Sequence, residues 1–391
     1  MTRPRPHRAL AALALAFVLV PAVAAAARSP KPAANLLLNP GFETGLEGHE
    51  WMPADWDTSN SGLTTVFFGR DTLLRHSGQY GVSIANTSTV YRMGHNWSQT
   101  ILVGPEAWNK TATFGVWTYG AGQDGRAYVL LQAYRDTVTV LSRIWGVQRD
   151  EALQRLGIAP INDPLLDFGW KGMQFDGDAS GWVKREVKIY VPPFTNVLFV
   201  RCGLLGTGQI AFDDASLTLS EPDPVPHFAP DQNLLADPGF EEGAKEWEWA
   251  APPFADVGAD LDSTVAHTGR YSMRFSNVAA IPVTARVGMS QPIPGRLVAG
   301  KQVKLSAWFK GDSLSTDVYP LIGYETAGGA DQEPSIHRLH GTFDWTQSEV
   351  VVNLPEETCQ VWVWLMFTAP ARGRLWVDDA RLTILGPVPK R

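Results

Sequence analysis

Cysteine is nearly absent from this sequence, since only Cys202 and Cys359 occur among 391 residues. Two cysteines do not make the disulfide framework that stabilises small exported domains. Most of the stability must therefore come from hydrophobic cores. When the two internal repeats described below are aligned, the cysteines fall at non-equivalent positions, one in each repeat. This favours two separate buried thiols, with a bridge between the repeats as the alternative.

Long hydrophobic runs are also scarce. The main one is "ALAALALAFVLV" (9–20), which follows three arginines and precedes the small residues of "AVAAAA" (22–27). This arrangement is typical of a secretory signal peptide, with an uncleaved membrane anchor as the alternative. We therefore expect residues 1–27 to be removed. The mature chain is then predicted to have no membrane span and to be secreted, periplasmic or displayed at the cell surface.

Positive charge is in the minority, with 33 Lys and Arg against 40 Asp and Glu, a net charge of −7. Removal of the three arginines of the leader makes the mature chain more acidic still. An acidic surface without a basic run argues against nucleic acid and against anionic membranes as partners.

Catalytic motifs are missing as well: the sequence contains no G-x-S-x-G, no H-E-x-x-H and no phosphate loop. The acid pairs Asp331 with Glu333, and Asp260 with Asp262, could suggest glycoside hydrolysis, which uses two carboxylates. Each pair lies in a turn-like stretch of one repeat and has no match in the other. We therefore predict that the chain is not an enzyme, and keep a glycoside hydrolase as the less favoured interpretation.

What the sequence does contain is a long internal repeat. "NPGFETG" (39–45) returns as "DPGFEEG" (237–243), each time shortly after an Asn-Leu-Leu start. Further blocks follow in the same order: "HSGQYGVSI" (76–84) with "HTGRYSMRF" (267–275), "WVKREVKIYVPP" (182–193) with "WTQSEVVVNLPE" (345–356), and "FDDASLTL" (212–219) with "VDDARLTI" (377–384). The shared order indicates a tandem duplication.

The repeat divides the mature chain into two modules and a linker. The predicted boundaries are 35–220 for the first module, 221–232 for a proline-rich linker and 233–385 for the second module. The first module carries about 30 extra residues between Leu141 and Gly181, by comparison of the two copies. Within this insert, "RDEALQRLGI" (149–158) predicts a short helix.

Elsewhere the apolar residues alternate as they do in β-strands. In "VKLSAWF" (303–309), Val303, Leu305, Ala307 and Phe309 share one face. Many short runs of this kind, separated by Gly, Pro and Asn, predict an all-β fold with an antiparallel β-sandwich in each copy.

At this point the residues resemble a known family. The order "NLLxNPGFE", "HSGxY", a mid-chain strand Trp and "DD" before "xSLTL" resembles the jelly-roll carbohydrate-binding modules, galactose-binding-like sandwiches appended to bacterial cellulases, xylanases and glucanases. The resemblance covers about 35–220 and 233–385. It implies two tandem jelly-roll domains, the first with a short helical insert, that bind a polysaccharide or oligosaccharide without catalysis. We expect a monomer.

The resemblance also implies one structural calcium ion in each module, where the first and last strands meet. Its ligands would be Glu43 and Asp213 in the first copy and Glu241 and Asp378 in the second. Calcium prefers six to eight oxygen ligands, as carboxylates and carbonyls provide. The alternative is that the glutamates cap turns while the Asp pairs face solvent.

Strand alternation also selects candidate sugar-binding residues on the faces opposite the cores. Aromatic rings stack on the apolar face of a pyranose, while Gln, Glu and Arg hydrogen-bond its hydroxyls. The candidates are Trp308, Tyr319, Glu325, Gln360, Trp362 and Trp364 in the second copy, and Trp117, Tyr119, Gln132, Tyr134 and Arg201 in the first. The alternative is that these aromatic residues are buried in a core or covered by the other module.

Two functions therefore remain open from the sequence. The favoured hypothesis is a secreted, non-catalytic protein whose two modules bind polysaccharide. The alternative is a structural or protein-interaction protein of the cell envelope or matrix, which uses the same sandwich to dock a protein partner.

Overall fold

The computed structural model describes residues 34–59, 65–88, 94–177, 180–226, 228–229, 231–244, 246–250, 257–277, 286–368 and 372–389. The predicted signal peptide (1–27) lies outside these residues. The part from Ala34 onward forms one compact unit. No helix in the described part of the chain is long and apolar enough to cross a membrane.

The first half of this unit is a β-sandwich. Its strands are β1 Gly45–Leu46, β2 His49–Pro53, β3 Asp57–Thr58, β4 Val66–Asp71, β5 Gly81–Asn86, β6 Gly94–Leu102, β7 Thr111–Arg135, β8 Leu166–Asp176, β9 Val183–Tyr190 and β10 Val197–Ser220. Two short 3₁₀ helices, Pro105–Ala107 and Pro160–Asn162, precede β7 and β8 respectively.

Two long strands, β7 and β10, each run through both layers of this sandwich. The first half of β7 pairs with β9 and with the second half of β10, whereas its second half pairs with β8 and with the first half of β10. The register shifts at Thr207/Gln209 and again at Asp213/Ser216. Bulges of this kind bend and twist a strand. One layer therefore has the order β3-β6-β10-β7-β8, and the other has the order β4-β5-β10-β7-β9.

The second half of the unit repeats this architecture. Its strands are β11 Glu248–Ala250, β12 Val257–Asp262, β13 Ser272–Asn277, β14 Arg286–Pro294, β15 Lys301–Thr326, β16 Gly329–Pro334, β17 Leu339–Asn353, β18 Thr358–Thr368 and β19 Gly373–Pro387. A helical turn, Gly295–Val298, joins β14 to β15. Here β15 runs through both layers, one ordered β11-β14-β18-β15-β16 and the other β12-β13-β19-β15-β17. The predicted fold class, two tandem jelly-roll sandwiches, is confirmed.

Each sandwich has its own hydrophobic core. In β15, Val303, Leu305, Ala307 and Phe309 are fully buried, as the alternation of "VKLSAWF" predicts. The core of the first sandwich contains Trp97, among others. Because apolar burial stabilises by roughly 25 cal/mol per Å², these two cores take the place of a disulfide framework. Cys202 and Cys359 are both free and buried, so the prediction of separate thiols is confirmed.

The insert of the first module contains two helices, α1 Thr137–Trp145 and α2 Arg149–Arg155. The second of them confirms the predicted helix, which ends three residues earlier than expected. Arg149 holds the insert together, since its guanidinium contacts Asp163 at 2.6 Å and Asp136 at 2.9 Å. In the second module a two-residue turn joins the corresponding strands, β15 and β16.

The repeated "NPGFE" phrase forms a tight loop that begins each sandwich. The side-chain NH₂ group of Asn39 donates to the backbone carbonyls of Thr44 and Ala54. The backbone carbonyl of Asn39 accepts the indole N–H of Trp56 at 3.1 Å. Phe42 has a φ of 57°, a left-handed conformation that is rare for a bulky residue. Its ring is fully buried, so core packing compensates the backbone strain.

Candidate functional site

The acids predicted to bind calcium lie where the first and last strands meet, at the "HSG" and "HTG" turns. In the first module, Asp213 Oδ2 accepts the backbone N–H of His76 at 2.7 Å and that of Ser77 at 3.0 Å. Glu43 accepts the N–H groups of Gln79 and Tyr80 from the same turn. The two acids therefore converge on one turn, as the resemblance implies.

The second module repeats this arrangement with Glu241 and Asp378. Asp378 Oδ2 accepts the N–H of His267 at 2.8 Å, and Glu241 Oε1 accepts the N–H of Arg270 at 2.8 Å. Burial is the main cause that raises the pKa of both Asp213 and Asp378, and the backbone donors lower it. The acids thus act as acceptors that fix the turn.

Whether these carboxylates fit calcium can be judged from their partners. The oxygens are hard ligands of the kind calcium prefers, but in this arrangement they face N–H groups. Within the described ranges, no three His, Cys, Asp or Glu side chains are placed to hold one metal ion. The residues as arranged fit calcium poorly, and the structural calcium stays a prediction.

Trp117 of β7 and Trp308 of β15 pack against the histidines of the same turns. The ring of Trp117 stacks on His76 with centroids 4.0 Å apart, and Trp308 stacks on His267 at 4.1 Å. Tyr119 lies further along β7, with its ring 5.7 Å from that of Trp182. These three candidates therefore lie on the layer that contains β9 or β17. They are not on the layer that carries Trp362.

The other layer of the second module carries an open cleft of about 690 Å³. Trp362 and Trp364 line it from β18, at the positions the alternation predicts, and Glu325 lines it from β15. The remaining lining residues are Asp167, Glu248, Ser290, Leu321, Gly323, Tyr324, Ala330, Asp331 and Gln332. A concave surface with two tryptophans and several polar groups has the composition of a ligand site.

Carboxylates give this cleft its electrostatic character. Burial, followed by the negative charge of Asp167, raises the pKa of Glu325 to about 8. The same two causes raise the pKa of Glu248 to about 7, while Lys171 lowers it. Burial also raises the pKa of Asp167 itself. At neutral pH the cleft therefore holds protonated and ionised carboxyl groups together.

Two of the predicted residues of this face are not open to a ligand. Gln360 is 4% exposed and lies against the backbone of Gly169, in strand β8 of the first module. Tyr319 is 8% exposed and packs with Met366 and Leu321 in a small cluster on the outer face. Alternation gives the direction of a side chain but does not show what covers it.

The corresponding face of the first module carries Gln132, Tyr134 and Arg201. Gln132 pairs across the sheet with Phe199 on one side and Trp170 on the other. The guanidinium of Arg201 lies 4.5 Å from the ring centroid of Phe199. Burial raises the pKa of Tyr134 far above its ordinary value. This face holds aromatic and polar groups, and its Gln132 is buried.

Three of the four acidic residues of the cleft, Asp167, Glu248 and Asp331, are not among the sugar-binding residues predicted from the sequence. Glu248 directly follows the buried Trp247, and strand alternation around that tryptophan would have pointed it outward. Asp331 was considered only as a member of a catalytic pair. No sequence pattern points to Asp167, because it reaches the cleft from the other module.

A sandwich with an aromatic cleft on one outer face defines a class of binding modules. Within this chain, residues 232–371 match the family model described as "Carbohydrate binding domain" (CBM_4_9). The match covers the second module up to residue 371, before β19, and confirms its resemblance to carbohydrate-binding modules. A search of curated proteins finds no match to the chain.

The solved structures that match this chain include carbohydrate-binding modules. The tandem CBM22-1–CBM22-2 domain of Paenibacillus barcinonensis Xyn10C is 13% identical, covers 92% of this chain and 100% of its own, and has a TM-score of 0.31. The C-terminal family 22 module of Clostridium thermocellum Xyn10B is 21% identical, with 44% and 100% coverage and a TM-score of 0.32. TmCBM61, solved with β-1,4-galactotriose, is 20% identical, with 39% and 99% coverage and a TM-score of 0.29.

Proposed function

We propose that this chain is an exported, non-catalytic protein that binds polysaccharide, and that the Trp362/Trp364 cleft of the second module is its principal binding site. The observation that carries the proposal is the cleft itself, whose lining residues other than Asp167 lie within the segment that matches a carbohydrate-binding family. Two indole rings on one strand, two residues apart, can stack on successive sugar rings of an extended chain.

The first module contributes less to binding in this proposal. Where β18 has Trp362 and Trp364, the repeat alignment of β10 has Phe199 and Arg201, and the guanidinium of Arg201 lies against the phenyl ring. A ligand would have to displace this contact before it could stack on Phe199. We therefore assign the first module to supporting the second, with weaker binding of its own.

Affinity electrophoresis of the full chain on gels that contain xylan, β-glucan, galactan, mannan or a glucosamine polymer tests the proposal. Retardation on at least one glycan is expected. It should be lost in the double variant Trp362→Ala/Trp364→Ala and kept in the control Trp51→Ala, which removes an exposed tryptophan of β2. Migration that is unaffected by every glycan would contradict polysaccharide binding.

The second candidate function, docking of a protein or of the other module, is favoured by one observation. Strand β8 of the first module lies against β15 and β18, so one end of the aromatic face is already occupied from within the chain. An intact cleft that retains no glycan but retains a protein of the same cell envelope would support this function instead.

A further inference from the structure

The cleft is completed by the first module. Asp167, near the start of β8, lines it beside Glu325 of the second module. The carboxylate of Asp167 accepts the N–H of Gly169 at 2.9 Å, which fixes its orientation. Gly169 in turn approaches the second module so closely that an added Cβ would lie 2.7 Å from Gln360 Oε1. The position of Asp167 is therefore defined by a tight contact between the modules.

A second contact holds the same strand in place. Lys171 of β8 forms an ion pair with Glu246 at 2.9 Å, just before β11 of the second module. Lys171 is not among the residues that line the cleft, although its charge lowers the pKa of Glu248. The contact between the modules thus places the carboxylate of Asp167 in the cleft lining, while Lys171 of the same strand pairs with Glu246.

The charged residues that line the cleft in the described part of the chain are all acidic. Among the described residues that line it are four carboxylates, those of Asp167, Glu248, Glu325 and Asp331, and no Lys, Arg or His. Asp331 accepts the hydroxyl of Tyr324 at 3.1 Å. A partly desolvated group of like charges is unfavourable unless a proton or a cation neutralises it.

One of these carboxylates has an unsatisfied oxygen. Oε2 of Glu325 is buried and has no hydrogen-bond partner among the described residues. A buried oxygen without a donor costs about 1–3 kcal/mol. Burial and the charge of Asp167 also raise the pKa of Glu325 and that of Glu248, so the ionised forms of both groups are disfavoured. A ligand that supplies positively charged donors would stabilise the ionised forms and satisfy the free oxygen of Glu325.

Within the described ranges, the carboxylates of the cleft lining are not gathered around a single point. In the described part of the chain no three acidic, His or Cys side chains come together around one metal position. The acids are instead spread along a cleft that also offers the rings of Trp362 and Trp364. This combination suits an extended ligand with apolar ring faces and positive charge on its edges.

We propose that the cleft shared by the two modules binds a glycan whose sugars carry protonated amino groups, and that Asp167, Glu248 and Glu325 select it over neutral glycans. The inference rests on the proposed function, because the tryptophans must stack on the sugar rings. An ammonium group on the ring edge donates up to three charge-assisted hydrogen bonds to the surrounding carboxylates. Asp167 is then a specificity-determining residue that the first module supplies to the second.

Three hexamers of identical β-1,4 linkage test this inference on the full chain by titration calorimetry. They differ at carbon 2, which carries a hydroxyl group in the glucose hexamer, an acetamido group in the N-acetylglucosamine hexamer and an ammonium group in the glucosamine hexamer. The glucosamine hexamer is expected to bind at least about tenfold more tightly than the other two, the difference made by one charge-assisted hydrogen bond. Its affinity alone should fall as salt is raised.

Variants distinguish binding in the cleft from non-specific attraction to the negatively charged surface of the protein. Asp167→Asn and Glu325→Gln should each reduce the affinity for the glucosamine hexamer about tenfold and change that for the glucose hexamer much less. Glu349→Gln, on β17, removes one negative charge outside the cleft lining and should leave the preference unchanged. The melting temperature of each variant shows that it is folded.

The outcomes distinguish this inference from the proposed function. Equal affinity for the three hexamers, or tighter binding of a neutral one, overturns the selection of amino sugars and leaves polysaccharide binding intact. A preference that Glu349→Gln lowers as much as Asp167→Asn does also overturns it, because the attraction is then non-specific. Failure of every hexamer to bind, together with no retardation on any glycan gel, overturns both.

Discussion

Oδ2 of Asp378 accepts the backbone N–H of His267 at 2.8 Å, although 111 residues separate the two in sequence. The first module repeats this contact between Asp213 and His76 at 2.7 Å. In both copies the carboxylate of the next aspartate, Asp214 or Asp379, forms a hydrogen bond with the imidazole Nδ1 of the same histidine. In each module the "DD" motif therefore contacts the "HSG" or "HTG" turn, and we call this contact the joint.

Replacing the first aspartate of either joint should destabilise the protein. Asp213→Asn and Asp378→Asn each put an NH₂ group into a place where the carboxylate accepts backbone donors. We expect each to lower the free energy of unfolding by about 1–3 kcal/mol. Urea denaturation followed by tryptophan fluorescence measures the change. Asp55→Asn, at an exposed left-handed turn position that Asn tolerates, is the control, and an equal loss in that variant would contradict the assignment.

The calcium prediction has a direct test. The resemblance predicts that EDTA lowers the melting temperature, whereas the hydrogen bonds of Glu43 and Asp213 hold the turn without a cation. From this geometry we expect EDTA to change the melting temperature by less than about 1 °C. A loss of 1 kcal/mol in stability would lower the melting temperature of a domain of this size by roughly 2–4 °C. A larger decrease that added calcium reverses would establish the metal and show that the turn rearranges around it.

Trp308 and Trp362 should have opposite effects when each is replaced. Trp308→Ala removes the ring stacked on His267, so we expect it to lower the free energy of unfolding by about 2–4 kcal/mol and to leave glycan affinity largely unchanged. Trp362→Ala should lower glycan affinity at least tenfold with a smaller loss of stability. Denaturation and gel retardation of the same two samples provide the comparison. A loss of binding in Trp308→Ala, with stability retained, would place that residue in a sugar site.

The stability of the protein should depend on pH through Glu325. Its pKa is about 8 in the folded protein, against 4.5 for an ordinary Glu. The folded state therefore binds more protons than the unfolded state between these values. Stability contributed by the protonated group is present below pH 4.5, decreases as pH rises and is lost above pH 8, by at most about 1.4 kcal/mol per pH unit.

Thermal unfolding between pH 4 and pH 9 measures this dependence. Glu325→Gln should flatten the curve and make the variant more stable than the parent above pH 8, because no carboxylate has to ionise in a partly buried place. Glu349→Gln, at an exposed ion pair, should follow the curve of the parent. Identical curves for the parent and Glu325→Gln would contradict the raised pKa.

Much of the fold could be predicted from local pattern. The alternation of Val303, Leu305 and Phe309 predicts a strand with one buried face, and the structure confirms that face. The repeated motifs predict two copies of one sandwich, because the same loop and joint chemistry has to be encoded twice. Residues two positions apart in a strand point to the same face, whichever strands lie beside it.

The candidate site could be predicted only in part. Trp362, Trp364 and Glu325 line the cleft as alternation predicts, but the same rule assigns Trp308 and Trp117 to open faces, where they instead stack on histidines. Both kinds of tryptophan point away from a core. What separates them is the layer of the sandwich on which each lies, and this follows from where a long strand bends.

Two β-sandwiches and the buried face of a strand such as 303–309 could be predicted from the sequence, since these depend on period and repetition along the chain. Only the tertiary structure decided which aromatic face is open and that Asp167 of one module lines the cleft of the other. The physical reason is that a cleft forms between segments that are far apart in sequence and meet only in the folded protein. No pattern within one strand records what approaches it from another module.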